Sequence, residues 1–167
     1  MQLFSSLAAF TAILGAFALP QTRTPLELVK PSAIQYATFV PGVSGEPAKP
    51  GRTVTLWLDV VPKPGINIYA AGTHQFLKIA LTTTSGPAFK VGSPKYPASE
   101  LVFFPVLKSS FPVYRKSFRI TQPLTINKSA APGPTLDVQG VVDYQACDEQ
   151  ICYLPSSTVV RWVVKTG

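Results

Sequence analysis

Between Leu136 and Tyr144 the chain alternates: Leu136, Val138, Gly140, Val142 and Tyr144 fall on one parity, Asp137, Gln139 and Asp143 on the other. A period of two sends successive side chains to opposite faces, so this stretch is a strand with one face in a core. Thr158 to Val164 is again rich in β-branched residues, and the segment joining the two runs holds both cysteines of the chain. The polar residues 148–151 suit a four-residue hairpin loop, which leaves Cys147 and Cys152 facing each other across the ladder. Opposed residues of an antiparallel pair have Cα atoms about 4.5–5.5 Å apart, inside the span of a disulfide. A cross-strand disulfide at the mouth of a hairpin is therefore predicted.

The remainder of the chain reads as a scaffold for that hairpin. With 46% hydrophobic and 14% charged residues, a chain of 167 residues can bury one real core, and its 17 prolines mark turns rather than disorder. Helical periodicity is absent beyond the N-terminus, while Val, Thr, Ile, Phe and Tyr recur in short alternating runs. An all-β domain follows. The net charge of +7 raises the question of nucleic acid, but Lys and Arg are scattered singly, with Arg115-Lys116 the one adjacent basic pair. No nucleic-acid partner is expected; a basic surface suits an acidic protein or an anionic membrane face.

In order, residues 1–18 form an apolar segment ending in Ala16-Phe17-Ala18, the layout of a secretory signal peptide cut before Leu19, with an uncleaved anchor as the alternative. Either places the domain outside the cytoplasm, periplasmic or secreted, where a disulfide persists. Residues 19–31 are a flexible leader, and 32–167 the folded domain. Strands are expected at 34–40, from Thr53 to Val60, at 66–70, 76–83, 89–91, 113–120 and 124–126, with a loop at 41–51. Residues 92–112 read as one long loop carrying Tyr96, Phe103, Phe104 and Phe111. These rings either plug the end of the core or cover a reactive site. Seven to nine short strands with frequent turns are the footprint of an immunoglobulin-like β-sandwich. Asn127-Lys128-Ser129 fits a glycosylation sequon.

Chemistry narrows by elimination. His74 is the sole histidine, so neither a histidine triad nor a closed zinc site can be assembled; a surface or hydrogen-bonded role is its default. No phosphate-binding glycine loop is present, and no cofactor or metal is called for. The cysteine pair remains, as structural bridge or redox centre. Closing a loop of about six residues is worth only roughly 2 kcal/mol in the chain-entropy view. A bridge at a hairpin tip is a modest staple that a partner thiolate can reach. Asp148 and Glu149 lie between the cysteines, where negative charge disfavours a thiolate.

The segment Val113-Tyr114-Arg115-Lys116, then Pro123 to Asn127, and above all Tyr144-Gln145-Ala146-Cys147-Asp148-Glu149-Gln150-Ile151-Cys152-Tyr153-Leu154-Pro155 resembles the N-terminal periplasmic domain of the thiol:disulfide interchange protein DsbD. Pro64 to Tyr69 resembles that family's Gly-x-x-x-Tyr strand. The resemblance implies an immunoglobulin-like fold and a protein-disulfide reductase type of interchange, with Cys147 and Cys152 as the redox pair. It implies that the domain takes electrons from a membrane-embedded thiol reductant, here acting in trans, and passes them to thioredoxin-fold oxidoreductases; a monomer suffices for this. Tyr69 is a candidate to line the site, as are Tyr144, Asp148, Glu149 and Tyr153. Tyr96, Phe103, Phe104 and Phe111 are rival candidates for the family's aromatic cap. One departure stands out: the best-known family pattern has five residues between the cysteines, and this chain has four.

Overall fold

The computed structural model describes residues 34–167 apart from 73, 131, 132 and 134. The expected signal peptide and leader therefore lie outside the described residues. Eleven strands and no helix are formed among the described residues: β1 (Ala37–Ser44), β2 (Thr53–Pro62), β3 (Asn67–Tyr69), β4 (Ala80–Thr83), β5 (Phe89–Val91), β6 (Glu100–Phe104), β7 (Ser109–Tyr114), β8 (Phe118–Ile126), β9 (Thr135–Tyr144), β10 (Ala146–Cys147) and β11 (Ser156–Lys165). They make three antiparallel sheets, ordered β1-β2-β8-β5, β11-β9-β4 and β10-β3-β7-β6.

Alternation decides which faces meet. Val54, Leu56, Leu58 and Val60 of β2 and Ile120, Leu124 and Ile126 of β8 are buried. They form one core with Val138 and Val142 of β9 and with Val160, Trp162 and Val164 of β11. The Trp162 indole N–H crosses this core to the Trp57 carbonyl at 2.9 Å. The arrangement is the expected all-β, immunoglobulin-like sandwich. The third sheet closes one end: Ala146, Ile68 and Tyr114 point into the main core. Register and alternation send Cys147, Asn67, Tyr69, Val113, Phe111, Val102 and Phe104 to its opposite face.

On the outer face of the first sheet, Gly42 of β1 lies opposite Trp57, whose ring covers it so closely that a Cβ would sit 2.0 Å from Cζ2. Arg119 packs over that indole, 4.1 Å from the centroid, and its guanidinium donates twice to the Asp59 carboxylate, at 2.6 and 2.7 Å.

Several boundaries differ from the sequence expectation. The first strand runs on through Pro41 to Ser44, since β1 is a sheet edge and a proline there forfeits no ladder bond. The strand expected at 76–83 begins only at Ala80, because Phe76 stacks on Tyr69 and the Leu77 and Ile79 amides bond to Gln145 and Tyr69 instead. The expected strand at 113–120 breaks between Tyr114 and Phe118, and its second part joins 124–126 in β8. Pro123 is accommodated there because its carbonyl, and hence its missing N–H, faces Gly92 just past the end of the β5 ladder. The main correction concerns 92–112: it is no featureless loop but carries β6 and most of β7, paired as a hairpin around Pro105-Val106-Leu107-Lys108.

Candidate functional site

Cys147 ends the two-residue strand β10, held opposite Asn67 of β3, and bridges to Cys152 with a Cα separation of 4.1 Å. The hairpin between them is closed by the Asp148 N–H donating to the Ile151 carbonyl at 3.0 Å. The Asp148 side chain completes it. Its Oδ1 accepts from the amides of Gln150 (2.8 Å) and Ile151 (2.7 Å), and its Oδ2 from the Tyr153 hydroxyl (2.6 Å). The Tyr153 bond, then those amides, hold the Asp148 carboxyl below its usual value, and the same carboxylate pushes the Tyr153 hydroxyl up. Tyr153 also stacks on Tyr36 with ring centroids 4.1 Å apart.

Gln145, at the junction of β9 and β10, ties this hairpin to its surroundings. Its Nε2 donates to the Tyr153 carbonyl (2.9 Å), and its Oε1 accepts from Leu77 N–H (2.9 Å). The residues just before Leu77 are thereby brought over the third sheet. Phe76 lies flat on Tyr69, with centroids 4.3 Å apart and planes 6° from parallel. His74 secures the approach, with Nε2 2.9 Å from the Ala70 carbonyl and Nδ1 3.1 Å from the Phe76 carbonyl.

Tyr69 is the centre of the cluster. It has no solvent exposure and packs with Phe104, Val113 and Cys147, with Phe76, Val102, Phe111 and Cys152 around them. Its hydroxyl oxygen is 3.2 Å from Cys147 Sγ and 3.4 Å from Cys152 Sγ. Of the three atoms only that oxygen carries a hydrogen, because disulfide sulfurs have none, so Tyr69 donates. Burial pushes its hydroxyl up to about 12, which keeps the donor protonated at neutral pH.

The two cysteines are not equally exposed. Cys147 is buried, whereas Cys152 is half-buried and opens onto a shallow hollow lined by Ile34, Tyr36, Ile151, Tyr153 and Leu154. On the Cys147 side a second hollow, of about 510 Å³, runs between the β6 edge and the cysteine loop, with Asn67, Arg115, Glu149 and Gln150 on its walls.

Of the residues singled out from the sequence, the structure gathers Tyr69, Phe104, Phe111, Asp148 and Tyr153 around the cysteine pair. Glu149 is exposed on the loop, and Phe103, 59% exposed, leaves the opposite face of β6 from Phe104. Tyr144 lies in the main core, where its hydroxyl accepts from Tyr36 N–H and donates to Gln35, both at 3.0 Å. Tyr96 braces β4 by accepting from Leu81 N–H at 2.8 Å. Phe76, His74 and Gln145 were not expected at the site. Phe76 sat inside an anticipated strand, and nothing local in the sequence distinguishes a ring that stacks on a tyrosine from one that faces a core. Among the described residues no group of three His, Cys, Asp or Glu side chains is placed to hold a metal.

No curated protein matches the chain. Among solved structures, the reduced N-terminal domain of DsbD from Neisseria meningitidis is 24% identical, with a TM-score of 0.46, over 77% of this chain and 86% of that one. The N-terminal periplasmic domain of ScsB from Proteus mirabilis is 15% identical, with a TM-score of 0.45, over 71% of this chain and 43% of that one. The profile of the family described as thiol:disulfide interchange protein DsbD, N-terminal, matches residues 40–163, and the chain belongs to that family.

Proposed function

We propose that this domain relays reducing equivalents outside the cytoplasm, taking them from a membrane-embedded thiol reductant and passing them to thioredoxin-fold oxidoreductases through Cys147 and Cys152. The observation that carries the reading is the Tyr69 hydroxyl, within reach of both sulfurs of a bridge set under an aromatic roof. A bridge serving only as a clasp needs neither a buried donor at its sulfurs nor a roof.

The unequal exposure supports a division of labour. The donor's thiolate attacks Sγ of Cys152, the less buried of the two cysteines, and the Sγ–Sγ bond breaks. Cys147 leaves as a thiolate, to which the Tyr69 hydroxyl donates. A second donor thiol resolves the mixed disulfide at Cys152, so two electrons and two protons end on the pair and the donor is left as a disulfide. Delivery reverses the sequence: Cys152 attacks the partner's disulfide, and Cys147 resolves the intermediate. The Asp148 carboxylate is already engaged by Tyr153 and two amides, so in this reading it shapes the loop, while Glu149 is the freer negative charge near the sulfurs.

The test is exchange with a thioredoxin-fold dithiol. The oxidised domain should be reduced by it, Cys147→Ser mixed with the partner in its disulfide form should give a mixed disulfide through Cys152 as that disulfide opens, and the pair's potential should lie above about −300 mV. A potential well below that, with no trapped intermediate, would identify a purely structural bridge.

A further inference from the structure

Asn67 marks the point in the cluster where hydrogen bonding is incomplete. It is directly opposed to Cys147 in the β3–β10 register, so the two side chains leave the same face of the sheet. Its Nδ2 donates to the Cys147 carbonyl at 3.2 Å. That bond fixes which end of the amide is which, because the reverse orientation sets two acceptor oxygens against each other. Oδ1 is thus an acceptor, and among the described residues it has no protein donor, although the residue is only 6% exposed. Buried side-chain acceptors are rarely left in that state. Cys147, opposite it in the ladder, carries a disulfide sulfur with no hydrogen to give.

We infer that Asn67 is a positioning residue that tunes the redox equilibrium of the pair: its Oδ1 accepts the S–H of Cys147 in the reduced protein and has no protein donor in the oxidised one. Reduction by a dithiol delivers two electrons, which break the Sγ–Sγ bond, and two protons, which leave a thiol on each cysteine. One new donor therefore appears opposite Asn67. The reduced state gains a hydrogen bond and the oxidised state bears an unpaired acceptor, so both terms favour reduction. The Nδ2 bond to the Cys147 carbonyl is made in the backbone ladder region of both states and cancels. The inference rests on the pair being redox-active.

The experiment equilibrates wild type and Asn67→Leu with dithiothreitol buffers. Leucine keeps the branched heavy-atom skeleton and removes the acceptor, so the equilibrium constant should move about tenfold towards the disulfide, a potential lower by about 30 mV. In parallel, the Asn67 side-chain carbonyl carbon of the wild type is followed by NMR and should move downfield on reduction. This second readout decides the matter should the leucine variant not fold. A constant within twofold of wild type, or a carbonyl shift identical in both redox states, overturns the inference. Failure to exchange with a thioredoxin-fold dithiol would instead sink the relay, since the equilibrium with dithiothreitol stays measurable without it.

Discussion

Tyr69 concentrates the chemistry in one atom, and its effect on rate can be bounded. A hydrogen bond to a charged group is worth about 1.5–3 kcal/mol. Tyr69→Phe removes that donor from the departing Cys147 thiolate while leaving the ring stacked under Phe76. Exchange with a dithiol should slow at least about tenfold with the fold unchanged, as stopped-flow fluorescence and far-UV circular dichroism would register. Asp148 makes a different prediction, one of pH. Its carboxyl is held below 3.8 by Tyr153 and the loop amides, so the folded state prefers the charged form. The stabilisation is complete above that value and is lost as pH falls through the lower, folded value. Protection of the Gln150 and Ile151 amides against exchange, relative to the free-chain rate, should fall only below about pH 4, the ordinary carboxyl value, and Asp148→Asn should flatten that dependence. At this scale the cysteines were legible because a four-residue polar loop between strand runs fixes which positions face each other. Asn67 and Phe76 were not, since what matters about each is a neighbour far away in sequence.

The elements around the pair are two short segments that roof one face of a small sheet. The β6–β7 hairpin was hidden from sequence reading for a physical reason. Leu101-Val102-Phe103-Phe104 is apolar on both parities, because Val102 and Phe104 cover the site while Leu101 and Phe103 stand in solvent. A strand of that kind has no alternation to detect, and Pro112 inside β7 argued further against it. Strands β2 and β9, with one wet face each, were plain. The roof itself is testable through Phe76. Stacked aromatic pairs contribute about 0.5–1.5 kcal/mol beyond burial, so Phe76→Ala should open the roof more often and quicken reduction by dithiothreitol by up to about tenfold. Unaltered kinetics would mean that Phe76 is packing alone. In the sandwich, Gly42→Ala would drive a methyl into the Trp57 ring and dislodge the indole from beneath Arg119. Overpacking of this kind costs about 1–3 kcal/mol, and a urea titration should find a loss in that range.

For the whole molecule, the proposed relay requires a fold that persists in two redox states, and the position of the bridge suits that requirement. The main core joins β2 and β8 to β9 and β11, whereas the cysteines belong to a separate small cluster on the far face of the end sheet. Severing a bridge across six residues returns roughly 2 kcal/mol of chain entropy to the unfolded state and leaves the sandwich contacts intact. If Asn67 gains a donor on reduction, part of even that difference is recovered. A bridge joining distant strands through the core would be worth far more, and reducing it would threaten the fold each time an electron pair passed. Urea unfolding of the oxidised and reduced domain should therefore give one cooperative transition in each state, with free energies differing by about 2 kcal/mol or less and similar slopes. A reduced domain that loses more than twice that, or unfolds in several steps, would mean that the bridge holds the sandwich together and could not be opened at each turn of a relay.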